Sequence, residues 1–323
     1  MPAINPSPVL KPLLSLFAGG CFLILCPLVI FAQAVPGVPL FEMAVSYLPQ
    51  VVLLSGLAAA GLAAYKPRAA ALGGVVTVIA ALPMLTFSKF DNPSQVACSP
   101  GACLTVITAN VYMQPDAMAR LGVLAEQEQA DLVAINETAP RFGHQDFEAH
   151  YPAFDRLRTD PSDRADLYAS RKLTLLSRKP VEQLQKVTPD QTAGRGLIFA
   201  DLAGDWDGTR IVITHPLIPV TASWTQARNN LLSIAGDTAA TAEQFILMGD
   251  FNTTPWSATF RDLPGKRAGD PRFSATWPTF FPALGISIDH ILASDNLELV
   301  EFKVLESVGS DHYPLMAKFR LKD

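Results

Sequence analysis

Three long stretches of this chain carry no charge at all. No Asp, Glu, Lys or Arg stands between Lys11 and Glu42, from Met43 to Tyr65, or from Ala69 to Ser88. An apolar run of about 20 residues can cross the ~30 Å hydrocarbon layer of a bilayer as a helix. The pattern predicts three crossings, Leu13–Gln33, Tyr47–Tyr65 and Ala69–Phe87. Pro27 and Pro83 fall inside two of them, which membrane helices tolerate better than soluble ones. Residues 1–88 hold four charged side chains (Lys11, Glu42, Lys66 and Arg68), whereas the rest of the 323-residue chain holds 51. A single soluble domain of even composition is therefore excluded. Wholesale disorder is excluded too, because 49% of the residues are hydrophobic. A cleaved signal peptide fits less well than a retained anchor. The first apolar core is long for one, and no clean small-x-small site precedes the second span.

Lys11 precedes the first span, and Lys66 and Arg68 lie between the second and third. Positive residues favour the cytoplasmic side. The N-terminus and the second loop are then cytoplasmic, and everything after Phe87 lies outside. Cys98 and Cys103 flank a Ser-Pro-Gly-Ala turn just beyond the third span. In an oxidising compartment two such residues can close a small loop; two free thiols are the alternative. Residues 89–103 read as a linker, and 104–323 as one folded domain with enough chain for a sizeable core. Net charge is −5 although the apolar stretch is net positive, so the acidic excess sits in this domain. No run of Lys and Arg offers a surface for a polyanion, so nucleic acid is the less favoured partner.

Within the domain, apolar runs alternate with amphipathic segments. Strands are expected at Leu104–Val111, Asp131–Asn136, Leu173–Ser177, Gly196–Leu202, Arg210–Thr214, Phe245–Gly249, Ser287–Ala293, Leu297–Leu305 and Leu315–Leu321. Helices are expected over Asp116–Ala130, where Met118, Leu121 and Leu124 share a face, and over Ser223–Thr238. Many strands with few helices suggest a layered α/β sandwich.

Polar groups recur where these strands end: Asn110, Glu137, His215, Asp250 with Asn252, Asp289 with His290, and Ser310-Asp311-His312. Singly, such a residue usually caps a turn. Their repetition at one strand exit after another points to a shared site. Carboxylates and amide oxygens suit a hard cation such as Mg²⁺, and imidazoles suit proton transfer near neutral pH.

The order Asn110, Glu137, His215, Gly249-Asp250-Phe251-Asn252, Asp289, Ser310-Asp311-His312 resembles the endonuclease/exonuclease/phosphatase superfamily. The resemblance covers about Leu104–Leu321. It implies the DNase I-like four-layer α/β sandwich, two packed mixed sheets flanked by helices, here preceded by three transmembrane helices. It also implies roles. Glu137 is matched to the principal ligand of Mg²⁺ or Mn²⁺, with Asn110 supporting the metal and Asp311 near it. Asp250 is matched to the acid that activates water, and Asn252 to the amide that holds the phosphate. His312 is matched to the imidazole that stabilises the transition state, Asp289 to the carboxylate that orients it, and His215 to a second phosphate-facing imidazole. Tyr112 stands where related repair endonucleases often carry an acid, which leaves a second metal position in doubt. Arg195 and Arg228 are candidate phosphate clamps; a surface ion pair is the alternative for Arg228.

His215-Pro216, the SWTQARNN stretch around Trp224, and Thr253-Thr254-Pro255-Trp256 look like the membrane-anchored branch that includes VanJ-type and YafD-like proteins. That likeness implies a multi-pass protein of the bacterial inner membrane with a periplasmic or extracellular catalytic domain. The expected function is metal-dependent hydrolysis of a phosphoester or pyrophosphate bond, in a lipid such as a polyprenyl pyrophosphate. The expected partners are the lipid bilayer and a phosphorylated lipid or other phosphoester; no obligate protein partner is inferred. An extracytoplasmic nuclease and a catalytically silent binding or sensor module are the alternatives.

Overall fold

The computed structural model describes residues 6–90, 93, 98, 101–157 and 173–322. Most of the expected linker lies outside the described residues. Cys98 and Cys103 are joined by a disulfide.

The apolar N-terminal part folds into helices. α1 (Leu10–Gly20) and α2 (Cys26–Ala34) are joined by one π-helical stretch, Cys21–Leu25. Pro27 follows that stretch; it lacks an N–H and its ring crowds the carbonyl four residues back, a misfit that a π-turn absorbs. Leu10–Ala34 thus forms one 25-residue helical run. α3 (Pro39–Ser46) and α4 (Leu48–Ala63) meet at Tyr47, bent by 70°. α5 (Pro67–Ala81) runs on into a 3-10 turn, so that Pro67–Leu85 is a second long apolar run. Two helices are therefore long and apolar enough to cross a membrane, or three if the bent pair counts as one. The expected middle span, Tyr47–Tyr65, coincides with α4, Leu48–Ala63, of 16 residues, which α3 joins at the bend. Pro49, in the first turn of α4, has no N–H to offer the carbonyl of Val45, and α3 stops there.

The helices pass back and forth. At one end Lys11, Ser15, Tyr65 and Lys66 gather: the Tyr65 hydroxyl donates to Lys11 O (2.9 Å), and Lys66 Nζ to Ser15 Oγ (3.0 Å). At the other end the bundle meets the C-terminal domain. Gln33 Nε2 donates to Trp256 O (3.1 Å), Gln50 Nε2 to Gly285 O (3.0 Å), and Phe87 meets Trp256 edge-on. Outward-facing Leu16, Leu23, Leu53 and Leu72 are mostly exposed, so the bundle's outer surface is apolar.

The C-terminal domain is built on two six-stranded mixed sheets. The first comprises β1 (Cys103–Asn110), β2 (Leu132–Asn136), β3 (Asp155–Leu157), β4 (Thr174–Ser177), β11 (Leu297–Val304) and β12 (Leu315–Leu321), in the order β11-β12-β1-β2-β4-β3. The second comprises β5 (Val181–Val187), β6 (Leu197–Leu202), β7 (Thr209–Thr214), β8 (Gln244–Asp250), β9 (Lys266–Arg267) and β10 (Asp289–Ala293), in the order β5-β6-β7-β8-β10-β9. β1–β2 and β7–β8 are parallel, and the other pairs are antiparallel. Helices α6 (Pro115–Gln127) and α7 (His144–His150) cover one outer face, and α8 (Ala222–Ala240) the other.

Side chains alternate across a strand with period two, and the clusters follow it. Leu104 and Val106 of β1, Ile211 and Ile213 of β7, Ile246 and Met248 of β8, and Ile291 and Ala293 of β10 fill the space between the sheets. Their odd-even neighbours Ile107, Val212, Leu247 and Leu292 pack under the outer helices. β5 was not expected from the sequence. A register shift between Val181 and Gln183 breaks its alternation, and it is an edge strand with a mostly open face.

Candidate functional site

Each inner row, carried to the strand end, finishes on a polar residue. Asn110 continues Leu104 and Val106. His215 continues Ile211 and Ile213. Asp250 continues Ile246 and Met248, and Asp289 precedes Ile291. Equal parity makes these side chains converge at one end of the inter-sheet core. Asp289 also pairs directly with Asp250 across the β10–β8 ladder. The ladder places His290 on the opposite face, so the expected neighbour pair is split. His290 packs against Phe251 and Phe260.

Asp250 is the hub. Asn110 Nδ2 donates to its Oδ2 (3.0 Å), and the backbone N–H of Asn252 to its Oδ1 (3.0 Å). His215 Nε2 lies 3.4 Å and His312 Nε2 3.9 Å from Oδ2. Burial alone raises a carboxyl pKa. Here the His215 hydrogen bond, the charge of His312 and the Asn110 amide outweigh it and hold Asp250 well below the usual carboxylate range. His312 Nδ1 donates to Asp289 Oδ2 at 2.8 Å. Burial opposes charge on this imidazole, but Asp289 and Asp250 overcome that and push its pKa up to about 10. The two carboxylates thus favour the protonated ring, whose Nε2 is turned to Asp250.

His215 is read through Arg195. A guanidinium only donates, so the 3.3 Å contact from Arg195 Nη1 makes His215 Nδ1 the acceptor. Nε2–H then faces Asp250 and, at 3.7 Å, Glu137 Oε1. Glu137 directly follows β2, and Asn252 follows β8 by two residues; both hold left-handed backbone, φ +54° and +49°. A non-glycine residue there costs energy, which functional sites often carry. Asn252 Nδ2 donates to Pro216 O (3.1 Å) and ties two loops of the site together. Asp311 Oδ2 accepts from Trp277 Nε1 (3.1 Å).

These groups line a cavity of about 410 Å³. Asn110, Glu137, Arg195, His215, Asp250, Asn252, Asp311 and His312 all reach it. Asp289 lies behind His312, fully buried. Arg228 does not reach the cavity, and its assignment as a phosphate clamp is corrected. It is buried, forms an ion pair with Glu42 Oε2 (2.8 Å), and donates to Asn229 Oδ1 and to the carbonyl of Asn252. Glu42 also accepts from Ser257 Oγ (3.0 Å). Sequence reasoning missed this contact. The signal was there: an isolated acid in an apolar stretch needs a partner. It also missed that Met43, Ser46 and Tyr47 of the helical part line the same cavity.

The donor set suits a hard divalent cation. Glu137 Oε1 and Asp250 Oδ2 both approach the same His215 nitrogen, at 3.7 and 3.4 Å, and both face the cavity. Asp250, Asp289 and His312 also present one ligand atom each within 4.8 Å of one another. In that trio the Asp289 oxygen is engaged by His312 and does not reach the cavity, whereas the half-open Glu137 does reach it.

Residues 107–312 match the profile of the Endonuclease/Exonuclease/phosphatase family. The chain belongs to the endonuclease/exonuclease/phosphatase family. Enzymes of this family are phosphoesterases and are generally dependent on divalent metal. No protein of curated function matches the sequence significantly. Among solved structures, a humanised D. rerio TDP2 carrying 14 mutations superposes with a TM-score of 0.55 at 16% identity, covering 68% of this chain and 99% of that one. A family member from Bacteroides vulgatus gives 0.53 at 16%, with 68% and 99% covered. The human Nocturnin catalytic domain with bound sulfate gives 0.50 at 15%, with 74% and 99% covered. At such identities the likeness establishes the family's DNase I-like fold.

Proposed function

We propose that this member of the endonuclease/exonuclease/phosphatase family is a membrane-tethered, divalent-metal-dependent phosphohydrolase. Its favoured substrate is a phosphorylated lipid of the polyprenyl pyrophosphate kind, cut at the outer face of the membrane, as in the VanJ-type branch. One observation carries this reading: the catalytic cluster forms the floor of a cavity whose wall includes Met43 and Tyr47 of the apolar helical part. A substrate that must touch both is itself part phosphate and part hydrocarbon.

Glu137, with Asn110 and Asp311 beside it, would hold the metal, which when bound offsets phosphate charge and lowers the pKa of water. Asp250, held in its ionised form by its neighbours, takes the proton of the attacking water as the new P–O bond forms. The His312 imidazolium faces the charge that develops on the phosphoryl oxygens or on the leaving oxygen. Asp289 holds its ring and its charged state. Asn252, fixed by Pro216 O and by its own backbone bond to Asp250, offers the amide that orients the phosphate. Arg195 adds a cation beside His215.

The outer-face assignment is supported by the ends of the bundle. Lys11 and Lys66 flank Tyr65 at the end remote from the catalytic domain, where positive residues mark the cytoplasmic side. The Cys98–Cys103 disulfide suits an oxidising compartment. The acidic domain and the apolar cavity mouth disfavour a nuclease.

The test is a parallel assay of the purified full chain with Mg²⁺ against undecaprenyl pyrophosphate, sphingomyelin and plasmid DNA. Phosphate release from the lipid pyrophosphate is expected. Nicking of the plasmid with both lipids intact would overturn the reading in favour of a nuclease.

A further inference from the structure

We propose that the bend between α3 and α4 is a binding subsite for the hydrocarbon chain that carries the scissile phosphate, with Met43 and Tyr47 on one side and Ile218 and Trp224 on the other. The proposal rests on the lipid-phosphate reading and adds which part of the cavity takes the chain.

The cavity is chemically divided. Its ionisable groups lie on the floor made by the strand ends, and a phosphoryl group needs only that floor. Around the mouth stand Met43, Ile218 and Trp224, which are 45%, 46% and 41% exposed. Large apolar side chains left half-open around one mouth gain when another apolar surface covers them. A phosphate or a sugar would not supply that surface, and a chain would. Methionine suits this place, because its flexible thioether follows irregular or branched hydrocarbon.

The wall is rigid because both arms of the bend are bolted to the catalytic domain. Five residues before Tyr47, Glu42 is held by Arg228 and Ser257. Three residues after it, Gln50 donates to Gly285 O. Tyr47 itself leaves helical geometry, at φ −98° and ψ 21°, and the 70° turn there sets α3 against the cavity. From this mouth the exposed apolar faces of α3 and α4 continue outward through Leu40, Leu53 and Leu57. The segment after Trp277 carries Phe280 and Phe281, 78% and 52% exposed, and is tied to α4 through Gly285. A chain leaving the cavity therefore meets apolar surface in the direction of the membrane helices.

The test compares two diphosphates with the same headgroup and different chains, farnesyl diphosphate and dimethylallyl diphosphate. The full-length protein is assayed in detergent with Mg²⁺. The readout is the ratio of kcat/KM values, long chain over short. The native protein is expected to prefer the long chain. In Met43→Ala and in Trp224→Ala the preference should fall about tenfold, mostly through KM, since each loses a few methylenes' worth of contact. Met43→Leu, which keeps the apolar volume, should restore it. Val123→Ser, on the outer face of α6, should leave the ratio where it was. Because Met43 and Trp224 are half-exposed, their truncation opens no core cavity, and an unchanged melting temperature checks this. Hydrolysis of both diphosphates with a ratio unmoved by either truncation overturns the subsite alone. Hydrolysis of neither by the native protein contradicts the functional reading and removes the subsite with it.

Discussion

Asp289 and His290 are neighbours in one strand, yet they stand in different surroundings. Asp289 faces the inter-sheet space and holds His312. His290 faces the other way, accepts at Nδ1 from Arg267 Nε (2.9 Å) and donates from Nε2 to Thr253 O (2.9 Å). Burial, and then the charge of Arg267, hold its pKa well below 6.5. The sign follows. In the unfolded chain this imidazole takes a proton near pH 6.5, and in the native protein it does not. Its stabilising contribution is therefore present above about pH 6.5 and lost as pH falls below it. Thermal melting of the detergent-solubilised protein should show stability dropping from about pH 7 towards 5, with a shallower drop in His290→Gln. Equal slopes would remove His290 as the cause. On the other face, Asp289→Asn keeps the shape but takes away the charge that keeps His312 protonated. A fall in kcat of roughly 10²–10⁴, with KM little changed, is expected from steady-state kinetics. A normal kcat would show that His312 does not act as an imidazolium.

Among the elements, α3 is short but it joins the two halves of the molecule. Its Glu42 is buried against Arg228, and Arg228 in turn donates to the carbonyl of the strained Asn252. Removing one partner of a buried ion pair leaves an uncompensated charge. Glu42→Ala should destabilise the protein by about 3–5 kcal/mol, whereas Glu42→Met with Arg228→Met should be near neutral. Chemical denaturation of the three proteins checks this; equal losses in the single and double variants would contradict it. The same contact shows what the sequence could and could not reveal. The strand-end residues were legible because the ends of apolar runs and the order of a motif are local properties. Glu137, Asp250, His312 and Asp289 fall where those patterns put them. Arg228 was misassigned because its partner lies 186 positions earlier in the chain, and no local pattern links an acid in an apolar helix to a basic residue in α8. The 70° bend had a local cue in Pro49, but a continuous apolar run hid it. β5 escaped because a register shift spoils the alternation that marks a strand.

As a whole, the molecule is a bundle with an apolar outer surface, carrying at one end a two-sheet domain whose cavity opens against it. Lys11 and Lys66 lie at the opposite end. This polarity predicts the result of labelling intact cells with a membrane-impermeant maleimide. Val123→Cys, on an exposed face of the catalytic domain, should react, and Lys66→Cys should not. The reverse pattern would put the active site in the cytoplasm. Removal of divalent metal with EDTA should abolish turnover, and Mg²⁺ or Mn²⁺ should restore it, while the fold persists. All of this depends on one cavity acting on phosphate at the membrane. The most direct measurement is phosphate release from a bilayer-embedded polyprenyl pyrophosphate by the native protein and by Asp250→Asn, each with Mg²⁺. The native protein should release phosphate, and Asp250→Asn should be slower by about 10² or more at unchanged melting temperature. Equal rates in the two proteins, or no release by the native one, would contradict the account.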